Sequence, residues 1–343
     1  MSGGILDDLC LPQKDTAHAQ TIMTPEKKTS ALKHQILESL TPLIDSDYLL
    51  LDLPYHSNLG DTLIWQGELD FLKKLPYKNL YSISHQGNLK KAERFIGSET
   101  ILLFHGGGNF GDLWSGPGQF RRKVIAMFPH QRCIIFPQTI YYNEENNLRE
   151  EAAFYSHYPN VTICARDATS LGILKEWFPN NPSLLVPDMA FAMDMSKYKR
   201  ATSPEGSIFV KRGDREINQS LDYSEVPADA YVTDWLFLGN SKEYARRKTI
   251  TLWGARFDYR LGTDWSHQWF DWYWHHILRP LNVKTAINLI DKYAHIYTTR
   301  MHAAILSVIL GKTDITLYDN SYGKSSSLYN TWLNDVEGLQ LIT

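Results

Sequence analysis

The sequence predicts an α/β fold, with a doubly wound parallel sheet in its first half and a second α/β domain after it. Three observations carry this. Thr100 to Phe104, Cys133 to Phe136 and Val161 to Ala165 are short, unbroken apolar runs, as expected of strands buried on both faces. Segments with apolar residues at helical spacing alternate with them over short connections. Each run closes on glycine or polar residues, so these gather at one edge of the sheet.

Residues 1–28 are polar and without period, which predicts a loosely held arm. Leu32, Ile36, Leu37 and Leu40 predict a helix over Ser30 to Leu43, and Asp47 to Leu53 predicts the first strand. The organisation reads as an arm and helix over 1–44, a first domain over 45–195, a second over 207–320, and a closing helix and tail over 321–343. The boundary falls where residues 195–206 lose the apolar pattern.

After the first strand, Asn58, Gly60 and Asp61 are turn formers, and Asp61 or Thr62 is expected to cap a helix carrying Leu63, Ile64, Leu69 and Leu72. The same residues also sit where an open α/β sheet binds ligands. Gly106, Gly107 and Gly108 predict a tight turn before a helix from about Asp112, with free amides facing an anion. Their spacing matches neither a Walker A loop nor a dinucleotide fingerprint. Arg121, Arg122 and Lys123 lie on a helix over Gln119 to Phe128 and read as a solvated face. The following strands deliver Gln138 and Thr139, then Arg166 and Asp167, then Asp188 to the polar edge. In the second domain, Ser207 to Val210 leads into Lys211 and Arg212, and His295 to Thr298 into Arg300 and His302. Ile315 to Leu317 precedes a loop containing Lys324 and Ser325. The stretch from Trp265 to Trp274 reads as a packed helix between the domains or as an aromatic surface for a sugar or a membrane.

Composition narrows the function. Across 343 residues the net charge is −3, which offers nucleic acid no electrostatic footprint. Three cysteines without metal-ligand spacing suit a reducing compartment and suggest no metal site. The opening residues lack a secretory pattern, and no run approaches the ~18 apolar residues of a membrane span. A cytoplasmic protein is expected, compatible with work at the inner face of a membrane.

Together, Asn58-Leu59-Gly60-Asp61, Phe104 to Asp112 (including Asn109), Pro137-Gln138-Thr139, Ala165-Arg166-Asp167, Pro187-Asp188, Arg300-Met301-His302 and the Asp319 to Ser325 loop resemble the polysaccharide pyruvyl transferase family. They run in order over about residues 45–335. The resemblance implies two Rossmann-like domains facing a cleft, as in GT-B glycosyltransferases. It implies phosphoenolpyruvate as donor substrate, no other cofactor, and a sugar or lipid-linked oligosaccharide as acceptor. On that reading Arg166, Arg300 and Lys211 or Arg212 hold the donor anion together with the Gly106–Gly108 amides. His302 is the candidate acid, with phosphate binding as its rival role, and Asp61, Asp112 and Asp188 are the candidate bases. Two rivals share the architecture: a nucleotide-sugar glycosyltransferase, and a non-catalytic sugar- or anion-binding protein of polysaccharide assembly.

Overall fold

The computed structural model describes residues 21–343, apart from 57, 86–88, 215, 236–248, 250–252, 254–259 and 261–264. The first twenty residues, which make up most of the expected arm and include Cys10, lie outside this range. From Met23 the chain is already organised: Met23 bridges Val336, and Thr24 caps helix α1, Pro25–Leu40. The helix begins earlier than expected because Pro25 stands at its first turn, where the missing N–H costs nothing.

Two all-parallel sheets follow. The first contains β1 (Tyr48–Leu51), β2 (Asn79–Ile83), β3 (Ile101–Phe104), β4 (Gly107–Gly111), β5 (Cys133–Tyr141), β6 (Val161–Ala165) and β7 (Ser183–Leu185). Its order is β2-β1-β3-β5-β6-β7, with β4 pairing to β5. Every residue of β1 and β3 is buried, and alternate side chains serve different cores. Leu50 packs into one apolar cluster, whereas Leu49 and Leu51 pack into another on the opposite face. Helices α2 (Leu59–Leu72) on one face and α4 (Ser115–Met127) and α5 (Glu145–Ser156) on the other make the sheet doubly wound. The remaining helices here are the short α3 (Leu89–Ala92) and α6 (Ala168–Trp177).

The glycine run differs from expectation. It is not a turn into a helix: Gly107 to Gly111 forms β4 and extends the sheet beside β5. β5 in turn continues through Pro137 to Tyr141. Its neighbour changes from β3, last paired at Ile135, to β4, first paired at Gln138. Pro137, which has no N–H to donate, falls in that changeover.

The second sheet contains β8 (Ser207–Val210), β9 (Tyr231–Thr233), β10 (His295–Thr298), β11 (Ile315–Tyr318) and β12 (Leu339–Ile342), in the order β12-β11-β10-β8-β9. The tail therefore supplies an edge strand. The chain around these strands also forms α7 (Trp265–Tyr273), α8 (Arg279–Asp291), α9 (Met301–Ile309) and α10 (Lys324–Leu328); α8 packs on α2 and α9, and α10 on α6. One apolar cluster runs from Leu50 and Leu63 through Ile287 and Ala304 to Ile208 and Ile296, so the two sheets share a core. Cys133 and Cys164 are buried as expected, and burial pushes both thiols up to about 12.

The tryptophan-rich stretch divides between core and solvent. Trp274 stacks on Tyr55 at 5.2 Å and is buried, whereas Trp269 and Trp272 are about half exposed. Among the described residues, no helix is long and apolar enough to cross a membrane.

Candidate active site

In each sheet the strand order reverses once in the interior, between β1 and β3 in the first and between β8 and β10 in the second. Such switch points open a crevice at the carboxyl ends of the strands. Here both crevices open onto one cavity of about 590 Å³. Asp52, His56 and Asp61 reach it after β1, and His105, Gly108 and Asn109 after β3. Arg212, Asp214 and Glu216 reach it after β8, and Arg300 and His302 after β10. Lys324 and Ser325 complete the wall.

The first crevice is built by local caps and one buried arginine. Asn58 caps α2 by accepting from Gly60 N–H at 3.0 Å and donates Nδ2–H to Asp61 at 2.8 Å. Asp61 is thereby fixed at the cavity wall, with His56 Nε2 3.6 Å away. Asp52 stands just past β1 at φ 64, in the left-handed region, where an aspartate is among the better tolerated side chains. Arg121, expected on a solvated face, is fully buried. It donates to Asp52 at 3.0 Å, to the Asn109 side chain at 2.8 Å and to the Asn109 carbonyl at 2.9 Å. It ties α4 to the end of β1 and to β4.

The Gly106 amide is not available to an anion. Gly106 N–H donates to Glu68 Oε1 at 2.8 Å, and Gly107 pairs with Gln138 in the sheet at φ 128. Gln138 is buried and braces this strand, donating to the His105 carbonyl at 2.8 Å and accepting from Asn109 N–H. Cations converge on Gly108 instead. A Cβ there would lie 2.5 Å from Lys324 Nζ and 3.1 Å from Arg166 Nη2, so glycine is what lets both approach. Burial lowers the Lys324 ammonium, opposed by Glu216, 3.8 Å away, and Arg166 depresses it further.

Arg166 is fully buried at the end of β6. Its Nε donates to Thr139 at 2.7 Å and its Nη1 to Asp188 Oδ2 at 2.7 Å. Nη2 has no protein partner. Asp188 caps the turn Met189–Ala192 through Ala190 N–H, and its Oδ2 also lies 3.3 Å from His302 Nε2. Burial alone would raise Asp188, but His302 and Arg166 hold it well below the usual carboxylate range. His302, in the first turn of α9, turns its Nδ1 toward Gly60, where a Cβ would come within 2.6 Å.

The second crevice is a charge network. Arg300 presents its fork to Asp234, Nε and Nη2 each at 2.8 Å, and its Nη1 to Asp214 at 2.7 Å. Arg212 holds Asp214 at 2.9 Å and Glu216 at 2.9 Å. The fork of Arg300 is therefore already filled by a carboxylate of this chain, and only the second hydrogens of its Nη atoms remain for a ligand. Ser325 N–H is likewise spent, on Asp319.

Two expected residues stand apart from the cavity. Lys211 lies 4.6 Å over the Tyr223 ring. Asp112 accepts from the backbone of Asn143 and Glu144 and from the side chains of Asn143 and Asn147, all within 3.0 Å, and so clamps the loop after β5. Asp214, Glu216, Asp52, Arg121, Glu68 and the rim residue Trp114 escaped the sequence reading. Glu68 did leave a signal: it is an acid within α2, a helix buried along most of its length. A buried carboxylate needs a partner, and Glu68 finds one in His105.

The polysaccharide pyruvyl transferase family model matches residues 58–317, which span both crevices. The chain belongs to this family. It is 28% identical to the putative pyruvyl transferase EpsO of Bacillus subtilis over 90% of its length and 95% of that protein. It is 29% identical to pyruvyl transferase 1 of Schizosaccharomyces pombe, over 83% of its own length and 69% of that protein. Among solved structures, an uncharacterized protein of Klebsiella pneumoniae, KP1_0663, superposes with a TM-score of 0.57 at 20% identity. That match covers 91% of this chain and 98% of the other, and it supports the fold.

Proposed function

We propose that this pyruvyl transferase family member moves the enolpyruvyl-derived unit of phosphoenolpyruvate onto two hydroxyls of one sugar in a polysaccharide or its precursor. The product is a cyclic pyruvate ketal, and phosphate is released. The observation that carries the reading is the meeting of both switch-point crevices at one cavity, with Lys324 and Arg166 converging on Gly108. A small dianion needs fixed cations in a partly desolvated site. The paired sheets correspond on this reading to the two lobes of a GT-B-like enzyme, with the donor between them.

The chemistry assigns itself by availability. His302, its Nε2 against Asp188, protonates the methylene carbon from the Nδ1 side. One sugar hydroxyl adds to the adjacent carbon and gives its proton to Asp61. Of the three candidate bases, Asp61 is at the cavity wall, Asp188 is committed to Arg166 and His302, and Asp112 is committed to the loop after β5. The second hydroxyl then displaces phosphate. Trp114 at the rim offers a ring face to the sugar. The absence of a membrane-spanning helix among the described residues is compatible with a lipid-linked acceptor met at the membrane surface.

Calorimetric titration tests donor choice. Phosphoenolpyruvate is expected to bind the wild type about tenfold more tightly than Lys324→Met, ~1.4 kcal/mol. A nucleoside diphosphate that binds instead, with phosphoenolpyruvate silent, would place the protein among nucleotide-sugar enzymes.

A further inference from the structure

His105 and Glu68 form a second histidine–carboxylate pair at the cavity, distinct from His302 and Asp188. His105 Nδ1 lies 2.8 Å from Glu68 Oε2, and both side chains are withdrawn from solvent, at 2% and 0% exposure. The other Glu68 oxygen accepts Gly106 N–H at 2.8 Å, so the carboxylate is fixed at both ends. Gln138 fixes the His105 carbonyl. The remaining ring nitrogen, Nε2, is buried without a protein partner, and the residue lines the cavity. A pair serving only the core would be expected to satisfy both nitrogens. This one leaves a ring nitrogen unpaired in a residue of the cavity lining.

We propose that His105, positioned by Glu68, is the proton donor to the departing phosphate in the ketal-closing step. The inference rests on the pyruvyl-transfer reading above. After the first addition, the central carbon carries a sugar oxygen and the phosphate ester. The carbon–oxygen bond to phosphate breaks with its electron pair moving to the phosphate oxygen, which takes the Nε2 proton. The oxygen of the second sugar hydroxyl bonds to that carbon, and its proton passes to Nε2. His105 ends the step protonated, as it began. Charged and titratable groups facing His105 are Glu68 and Asp61 on α2, Asp52 after β1, and His56 in the loop between. Burial works against the imidazolium, and the three carboxylates, Glu68 first, outweigh it, so its pKa is raised.

The test follows phosphate release against pH in the full-length protein and in two variants. His105→Asn keeps an amide for Glu68 and loses Nε2, and is expected to lower turnover about 100-fold with phosphoenolpyruvate affinity changed less than about threefold. Glu68→Gln is expected to move the alkaline limb of the profile to lower pH by about one unit, because the neutral amide no longer supports the imidazolium. A uniform loss of rate with an unmoved limb would reduce the pair to a structural role and overturn the proposal. In the wild type, the histidine ring resonance missing from His105→Asn is expected to shift on addition of inorganic phosphate; an unmoved resonance would also overturn it. A wild type that turns over beside an equally active His105→Asn defeats this inference alone. A wild type that releases no phosphate from phosphoenolpyruvate with any acceptor defeats the function reading itself.

Discussion

Asp188, in the turn after β7, stands 3.3 Å from His302 in the first turn of α9, with one carboxylate oxygen shared between His302 and Arg166. This contact joins the two crevices chemically. It places a carboxylate beside Nε2 of the histidine.

Removing that carboxylate's charge leaves Arg166 buried without its counterion. Asp188→Asn is expected to cost about 3–5 kcal/mol, read by urea denaturation, and to abolish most turnover. A variant with unchanged stability would mean that the Arg166–Asp188 pair is not formed as described.

The pH dependence of that difference has a definite sign. The folded-state pKa of Asp188 is depressed, so its contribution is complete above the ordinary carboxylate value of about 4. It is lost only as pH falls through the lower folded value. The stability gap between wild type and Asp188→Asn should therefore hold from neutral pH to about pH 4 and close below it. A gap that closes between pH 7 and 5 would contradict the depressed pKa.

Gly60→Ala sets a methyl group against the His302 ring, 2.6 Å from Nδ1 before relaxation. Overpacking of this kind costs about 1–3 kcal/mol. Turnover is expected to fall by more than tenfold, because the displaced ring leaves Asp188. Phosphate-release kinetics and a melting curve separate the two effects.

The carboxylates can be sorted by paired substitutions. Asp61→Asn should fold normally and lose about 100-fold or more in turnover. Asp112→Ala should keep its turnover per folded molecule and lose about 1–3 kcal/mol, since two backbone amides lose their acceptor. The reverse pattern would exchange their roles.

Much of this site could be read from the residues at strand ends, because a parallel sheet sends every such residue to one edge. Asn58, Gly60, Asp61, Arg212, Arg300 and His302 reach the cavity or its wall for that reason, and Arg166 and Asp188 lie directly behind it. What escaped depends on partners distant in sequence. Arg121 sits in a run of cations on a helix, and nothing local distinguishes it from Arg122. Its burial follows from Asp52, sixty-nine residues away. The fork of Arg300 is closed by Asp234, sixty-six residues earlier. The glycines are in a strand because β5 extends past Pro137 to pair with them, which a proline after an apolar run does not suggest. The tail strand, β12, is visible only once β11 offers an open edge.

Trp114 is 44% exposed at the cavity rim, and Trp114→Ala is expected to raise the acceptor KM severalfold while leaving phosphoenolpyruvate affinity unchanged. Equal acceptor KM values in the two proteins would remove Trp114 from acceptor binding.

The most direct measurement of the central claim couples two readouts in one incubation of the protein with phosphoenolpyruvate and a panel of simple and lipid-linked sugars. Inorganic phosphate is followed together with the mass of the acceptor. The account predicts one phosphate released for each acid-labile pyruvyl group gained by a sugar, with both signals lost in Asp61→Asn. Phosphate release without acceptor modification, or transfer from a nucleotide sugar in place of phosphoenolpyruvate, would contradict it.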